Sequence, residues 1–207
     1  MALKVVEHPL VQDALAELRD ARTAPPAFRR AANRISVLLA AEALRDVPVS
    51  PAVVITPLGP ADSRVVTTDV VVVPVLRAGL GMLDAVLELL PAARVGHIGL
   101  QRDEATAVAF RYYWKLPANL TDSFVLMIDP MLATGGSAAA AIDLIKGAGA
   151  RTIRMICIVS APEGVKLLER THPDVVIYTP VIDRELNAHK FIVPGLGDFG
   201  DRLYGTP

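Results

Sequence analysis

The sequence is poor in cysteine, in aromatic residues and in net charge, and each shortage excludes a class of protein. A single cysteine, Cys157, forms no intramolecular disulfide and supplies no cysteine metal site, so a reducing, cytoplasmic setting is expected. The 21 basic residues are matched by 22 acidic ones, for a formal net charge of −1, which removes the basic footprint of a general nucleic-acid binder. The most apolar stretch, Val70 to Leu76, falls far short of the ~20 residues that a membrane helix needs. The start, MALKVVEHPLVQDALAELRD, lacks the apolar core and small-residue cleavage site of a secretory leader, and neither secretion nor a membrane partner is expected. His8, His97, His172 and His189 are scattered without ligand spacing, so no protein-held metal is expected; His97, inside an apolar run, reads as a core residue.

What is present is a chain of 207 residues, 52% hydrophobic, a length that suits one domain over 1–207 with a sizeable core. The first third reads helical: Leu10, Val11, Leu15 and Leu18, then Phe28, Ala32, Ile35, Leu38, Leu39 and Ala43, recur at helical spacing on either side of the breaker Pro25-Pro26. A hairpin or arm is predicted over about 48–68, around Pro57-Leu58-Gly59-Pro60. Short apolar runs at Val70–Val75, Val95–Leu100, Phe124–Ile128, Ile153–Val159 and Val175–Tyr178 then alternate with helical patterns at Met82–Leu90, Ser137–Ala148 and Glu163–Arg170. Continuous runs of this kind suit strands buried on both faces, so an α/β fold with a mostly parallel sheet flanked by helices is expected. The polar and aromatic segment Gln101–Asn119 reads as a loop-like flap. Ligands of open parallel sheets sit beyond the carboxyl ends of the strands, so chemistry is sought there.

Directly after Phe124–Ile128 comes Asp129-Pro130-Met131-Leu132-Ala133-Thr134-Gly135-Gly136-Ser137, then a helix. Thr134 and Ser137 offer hydroxyls, the glycines let the backbone turn tightly, and a helix start aims free N–H groups outward, which together make an anion cradle. Asp129 cannot attract a phosphate and suits sugar hydroxyls instead. The spacing lacks the Gly-Lys-Ser/Thr of a nucleotide-hydrolysing loop. Val75-Leu76-Arg77-Ala78-Gly79-Leu80-Gly81 is a second strand end, and its Arg77 can fork onto phosphate oxygens. Arg102 follows the neighbouring run and is expected at the same rim. A third segment, Phe191 to Gly200, carries Gly195-x-Gly197-x-x-Gly200, but a dinucleotide loop opens a βαβ unit of about 30 residues, and too little chain follows.

The run DPMLATGGS resembles the ribose-phosphate loop of the type I phosphoribosyltransferases, and with Pro130 in place of a second acid it is similar to the uracil phosphoribosyltransferase family. The likeness extends through EHPLVQDALAELRDARTAPPAFR, VVPVLRAGLGM, AARVGHIGLQRDEAT, YYWKLP, APEGV and IVPGLGDFGDRLYGT. It implies a type I phosphoribosyltransferase fold with N-terminal helices, a β-arm, a flap over about 101–119 and a C-terminal base-binding hood over about 180–207. It implies transfer of a phosphoribosyl group from phosphoribosyl pyrophosphate to uracil, giving UMP and diphosphate. The residues Asp129 to Ser137 would hold the ribose phosphate, and Arg77 and Arg102 the pyrophosphate. The backbone of Ile192, Gly197 and Phe199 would read uracil, and Asp198 would lie near the ribosyl pyrophosphate with a catalytic part. The resemblance further implies Mg²⁺ carried mainly by the substrate pyrophosphate, a homodimer or homotetramer, and in some members a GTP effector. Gln101, Ala109, Lys190, Phe191 and Phe199 depart from frequent family residues, and a Phe199 ring turned inward would narrow the base pocket. An RNA-binding regulator on the same fold, or a transferase for another base, are the alternatives.

Overall fold

The computed structural model describes residues 3–102 and 109–206, the side chains of 102, 109 and 110 excepted. In chain order it contains β1 (Leu3–Val5), α1 (Pro9–Arg19), α2 (Pro25–Ala43), β2 (Val49–Thr56), β3 (Gly59–Val66), β4 (Val70–Leu76) and α3 (Leu80–Leu89). There follow β5 (Arg94–Val95), β6 (His97–Arg102), β7 (Ala109–Lys115), β8 (Phe124–Ile128), β9 (Met131–Leu132) and α4 (Gly136–Gly147). The chain continues with β10 (Thr152–Ile156), β11 (Val159–Ser160), α5 (Pro162–Thr171), β12 (Val176–Thr179), β13 (Glu185–Leu186), β14 (Ile192–Val193) and α6 (Phe199–Tyr204).

The main sheet runs β1-β12-β10-β8-β4-β6-β7, with β5 also paired to β4. Every pairing in it is parallel except β6 with β7. The central strands β4 and β8 are apolar throughout because both of their faces are covered. Val70 and Val72 join Leu126 and Ile128 in a core closed by α1, α2, α3 and α6. Val71, Val73 and Val75 face the other way with Val125 and Met127, against α4 and α5. The two-residue period of a strand thus feeds two cores from one sequence run.

Pro74 sits in a central strand, where a missing N–H usually costs a ladder bond. Here the cost is avoided by the neighbour. The carbonyl of Val72 accepts from Gly96 N–H at 3.0 Å, so Pro74, two residues on, faces the same side. That is where the partner strand breaks between β5 and β6, which the sequence reading had joined as Val95–Leu100.

Four further expectations are corrected. Ile153–Val159 is also divided, into β10 and β11, because β11 leaves the main sheet to pair with β9. The N-terminal region is not wholly helical, since β1 extends the sheet beside β12. The segment read as a flap loop carries β7, which returns antiparallel on β6 from Ala109 to Lys115, while residues 103–108 lie outside the described set. His97 is half-buried on β6 rather than a core residue. The hairpin β2–β3 forms with Thr56 opposite Gly59 and stands off the main sheet. No helix among the described residues is long and apolar enough to cross a membrane.

Candidate active site

The cradle after β8 is built by close packing. Gly135 caps α4 at φ 83, a left-handed conformation that side chains resist, and as a glycine it brings no side-chain cap of its own. The first-turn N–H groups of α4 lie in the positive field of the helix dipole, which favours an anion. Gly164, on α5, lies against the back of this loop: a Cβ there would stand 2.5 Å from the Ala133 carbonyl oxygen. Met131 and Leu132 form β9 and lean on β11, and the Pro130 carbonyl accepts from both Ile158 and Val159 N–H groups. Pro130 and Leu132 are thus committed to the scaffold, with the Leu132 side chain in the core.

Asp129 ends β8 almost fully buried. Burial pushes its carboxyl up to about 7, an effect only partly offset by the Met131 N–H, 3.4 Å from Oδ1. Held neutral in this way, the group is stable without a cation beside it. Cys157 is likewise buried, its thiol pushed up to about 12 by burial, and it is inert as a nucleophile.

The hood is a compact unit rather than a loose loop. β13 pairs with β14, and α6 follows at once, with the Asp198 side chain as its cap: Oδ1 accepts the Asp201 N–H at 2.9 Å. The turn beneath is pinned by Asp183, which takes Arg19 through two bonds, 2.6 and 3.0 Å, and also accepts the Gly195 N–H at 2.8 Å. Arg19 donates to the Gly195 carbonyl at 2.8 Å, and Arg202 donates to the carbonyls of Leu18, Leu196 and Asp20. Arg19, Asp183 and Arg202 hold the Gly195–Leu196 turn, and the bonds that tie it to α1 and the turn after α1 span more than 160 residues, so no local motif announced them.

A cavity of about 360 Å³ opens between the cradle and the hood. Met131, Ala133 and Ser137 line one side, and Ile192, Gly197, Asp198 and Phe199 the other. His189, Lys190 and Phe191 complete the wall, a contribution the sequence reading left out of its site. Lys190 holds a left-handed φ of 65 in a turn fastened by Asn187, whose Oδ1 accepts from His189 and Phe191 N–H groups. Phe199, the residue that threatened the pocket, turns its ring away. It is 1% exposed and packs edge-on against Phe28 at 5.1 Å between centroids.

Thr134, Gly135 and Gly136 lie in the chain between the lining residues Ala133 and Ser137, and Asp129 stands two residues before Met131. Arg77 emerges after β4, exposed, with Nη2 3.3 Å from Asp201 Oδ1 on α6. The Arg102 backbone ends the adjacent β6, while its side chain lies outside the described set. Among the described residues no group of three or more His, Cys, Asp or Glu is placed to hold a metal ion.

Comparison with known proteins agrees with this geometry. The family model described as uracil phosphoribosyltransferase matches residues 5–206. A uracil phosphoribosyltransferase of Dictyoglomus thermophilum is 51% identical over 98% of both chains, and one of Enterococcus faecalis is 48% identical with the same coverage. A solved protein of Aquifex aeolicus superposes with a TM-score of 0.94 at 34% identity, covering 98% of this chain and 97% of that one. A hypoxanthine-guanine phosphoribosyltransferase from Bacillus anthracis, at 12% identity and a TM-score of 0.52 over 77% of this chain and 80% of its own, shares the fold alone. The mostly parallel sheet flanked by helices is therefore that of a phosphoribosyltransferase, and the chain belongs to the uracil phosphoribosyltransferase family.

Proposed function

We propose that the protein joins uracil to the phosphoribosyl group of phosphoribosyl pyrophosphate, releasing diphosphate and forming UMP. The single observation that carries this reading is the cavity shared by the phosphate cradle and the hood, walled by Ser137 on one side and Gly197–Phe199 on the other. A ribose 5′-phosphate on the α4 N-terminus extends its sugar toward Asp129, whose carboxylate accepts the ribose hydroxyls. Backbone groups of Ile192, Gly197 and Phe199 match the alternating O2, N3–H and O4 edge of uracil, whereas cytosine would leave buried groups unpaired. Displacement at the anomeric carbon passes through an oxocarbenium-like state, so positioning and charge compensation dominate. Arg77 and Arg102 compensate the charge that develops on the leaving pyrophosphate.

Mg²⁺ fits this site as an ion carried by substrate phosphates and water, a common arrangement for this ion. The donor set supports that form: Asp198, at the cavity with Oδ1 accepting the Asp201 N–H, would hold a water carried by the ion. When bound, the ion neutralises pyrophosphate oxygens. A homo-oligomer is supported by the arm, where Ile55 and Leu58 are 81% and 100% exposed and a second copy is the simplest cover.

The test is incubation with Mg²⁺, phosphoribosyl pyrophosphate and each of uracil, cytosine, adenine and hypoxanthine, following pyrophosphate release. Release with uracil alone is expected. Release with hypoxanthine and not uracil would overturn the reading.

A further inference from the structure

We propose that Asp201 is a positioning residue that docks Arg77 on α6 and competes with pyrophosphate for it, giving the leaving group's cation a second partner. The inference rests on the reading of Arg77 as a pyrophosphate ligand and adds a residue that this reading does not use.

Both ends of Arg77 are held by the same helix. Its Nη2 lies 3.3 Å from Asp201 Oδ1, and its guanidinium carbon stands 6.0 Å from the centre of the Tyr204 ring. The Tyr204 hydroxyl donates to the Arg77 carbonyl at 3.4 Å. Asp201 is itself fastened: the oxygen facing Arg77 accepts the Thr206 hydroxyl at 2.8 Å, and its N–H is bound by Asp198. The carboxylate therefore stays in place when the arginine leaves. A Cβ on Gly200 would stand in contact with Arg77 Nη2 at 4.0 Å, so the bare glycine leaves room beside the guanidinium. The guanidinium thus rests at the far end of the base-reading turn, one turn of helix from Asp198.

The strength of this contact suits a docking point and not a lock. It is one bond, between a side chain 60% exposed and one 32% exposed. An exposed pair of this kind shifts an equilibrium by no more than about fivefold. A pyrophosphate offers paired, charge-assisted bonds to the same fork and takes it from Asp201. After transfer, Asp201 offers the arginine an alternative to product, which favours release of diphosphate.

The experiment is calorimetric binding of inorganic pyrophosphate with Mg²⁺ to the full chain, in wild type, Asp201→Asn, Arg77→Ala and the double variant. Asparagine keeps an acceptor for Thr206 and removes the charge. Asp201→Asn is expected to bind pyrophosphate about two- to fivefold tighter. Its KM for phosphoribosyl pyrophosphate falls by the same factor while KM for uracil is unchanged, a split that a merely structural role would not produce. In the Arg77→Ala background the Asp201 substitution has no effect. Unchanged or weaker pyrophosphate binding by Asp201→Asn overturns the proposal, and so does a gain that persists without Arg77. If Arg77→Ala leaves pyrophosphate affinity intact, the reading of Arg77 as a ligand fails, and the proposal with it. Should the asparagine variant not fold, Asp201→Ser is measured in its place with the same expectations.

Discussion

Two loops leave adjacent strands at one edge of the sheet and run into helices, one after β8 and one after β4. The first is buried and tightly backed: Asp129 is 9% exposed, Gly135 turns left-handed, and Gly164 presses on Ala133 from behind. The second projects Arg77 into solvent, and its side chain is held by a contact on another element. In the proposed reaction the difference follows what each would do. A phosphate and ribose kept through the reaction are best met by a site formed in advance, whereas a leaving group is best met by a cation that is able to let go.

Four substitutions break or sharpen that contrast, in order of effect. Arg77→Ala should lower kcat/KM for phosphoribosyl pyrophosphate by roughly 10²–10³-fold, the typical cost of one charge-stabilising donor. Because the side chain is exposed and its Asp201 contact weak, unfolding free energy should move by no more than about 1 kcal/mol; chemical denaturation alongside kinetics checks both. Gly164→Ala should do damage of both kinds. Its methyl group meets the Ala133 carbonyl, so we expect about 1–3 kcal/mol of destabilisation and a fall of about 100-fold in kcat/KM through the displaced cradle. Normal activity in this variant would show that the cradle tolerates movement.

Asp129 gives a pH signature. Folding holds its carboxyl protonated up to about 7, against about 4 when unfolded. The folded state binds the extra proton between those values, so stability contributed by this group is full at low pH and falls as pH rises through that window. Relative to Asp129→Asn, wild type should lose at most about 4 kcal/mol between pH 4 and pH 8. Parallel urea-unfolding profiles for the two proteins would contradict this. The same sign makes KM for phosphoribosyl pyrophosphate rise as pH drops below 7, since ribose hydroxyls need the ionised form. The smallest effect is at Lys190, where Lys190→Gly relieves a left-handed backbone and should add about 1 kcal/mol of stability. A loss of uracil affinity in that variant would reveal a contact from its ammonium group.

The cradle was readable because its signals are local: an apolar strand, an acid, two glycines and a helix start, all within one short run. The sheet was readable for the same reason, as five apolar runs and the helices between them. What escaped lacked either length or proximity. β1 is three residues long, too short for any periodicity to register. β7 is an antiparallel edge strand whose exposed Tyr112, Tyr113 and Trp114 resemble a loop when no partner is known. α6 hid behind glycines, although Asp198 before it and Gly205 after it are ordinary helix punctuation. The Arg77–Asp201 contact joins residues 124 apart, and Asp183 meets Arg19 across 164. No spacing rule reaches that far. Phe199 taught the opposite lesson: its type suggested obstruction, and only the direction of its ring, toward Phe28, removed it.

The scarcity of tryptophan has a use at the bench. The chain's one indole, Trp114, stands half-exposed on β7 with the Arg111 guanidinium 5.1 Å from its ring centre. Emission excited at the red edge of the protein spectrum therefore comes from the antiparallel edge strand and from nowhere else. The wild-type protein carries a single built-in optical reporter there, and substrate titrations can be followed at that strand without attaching a dye.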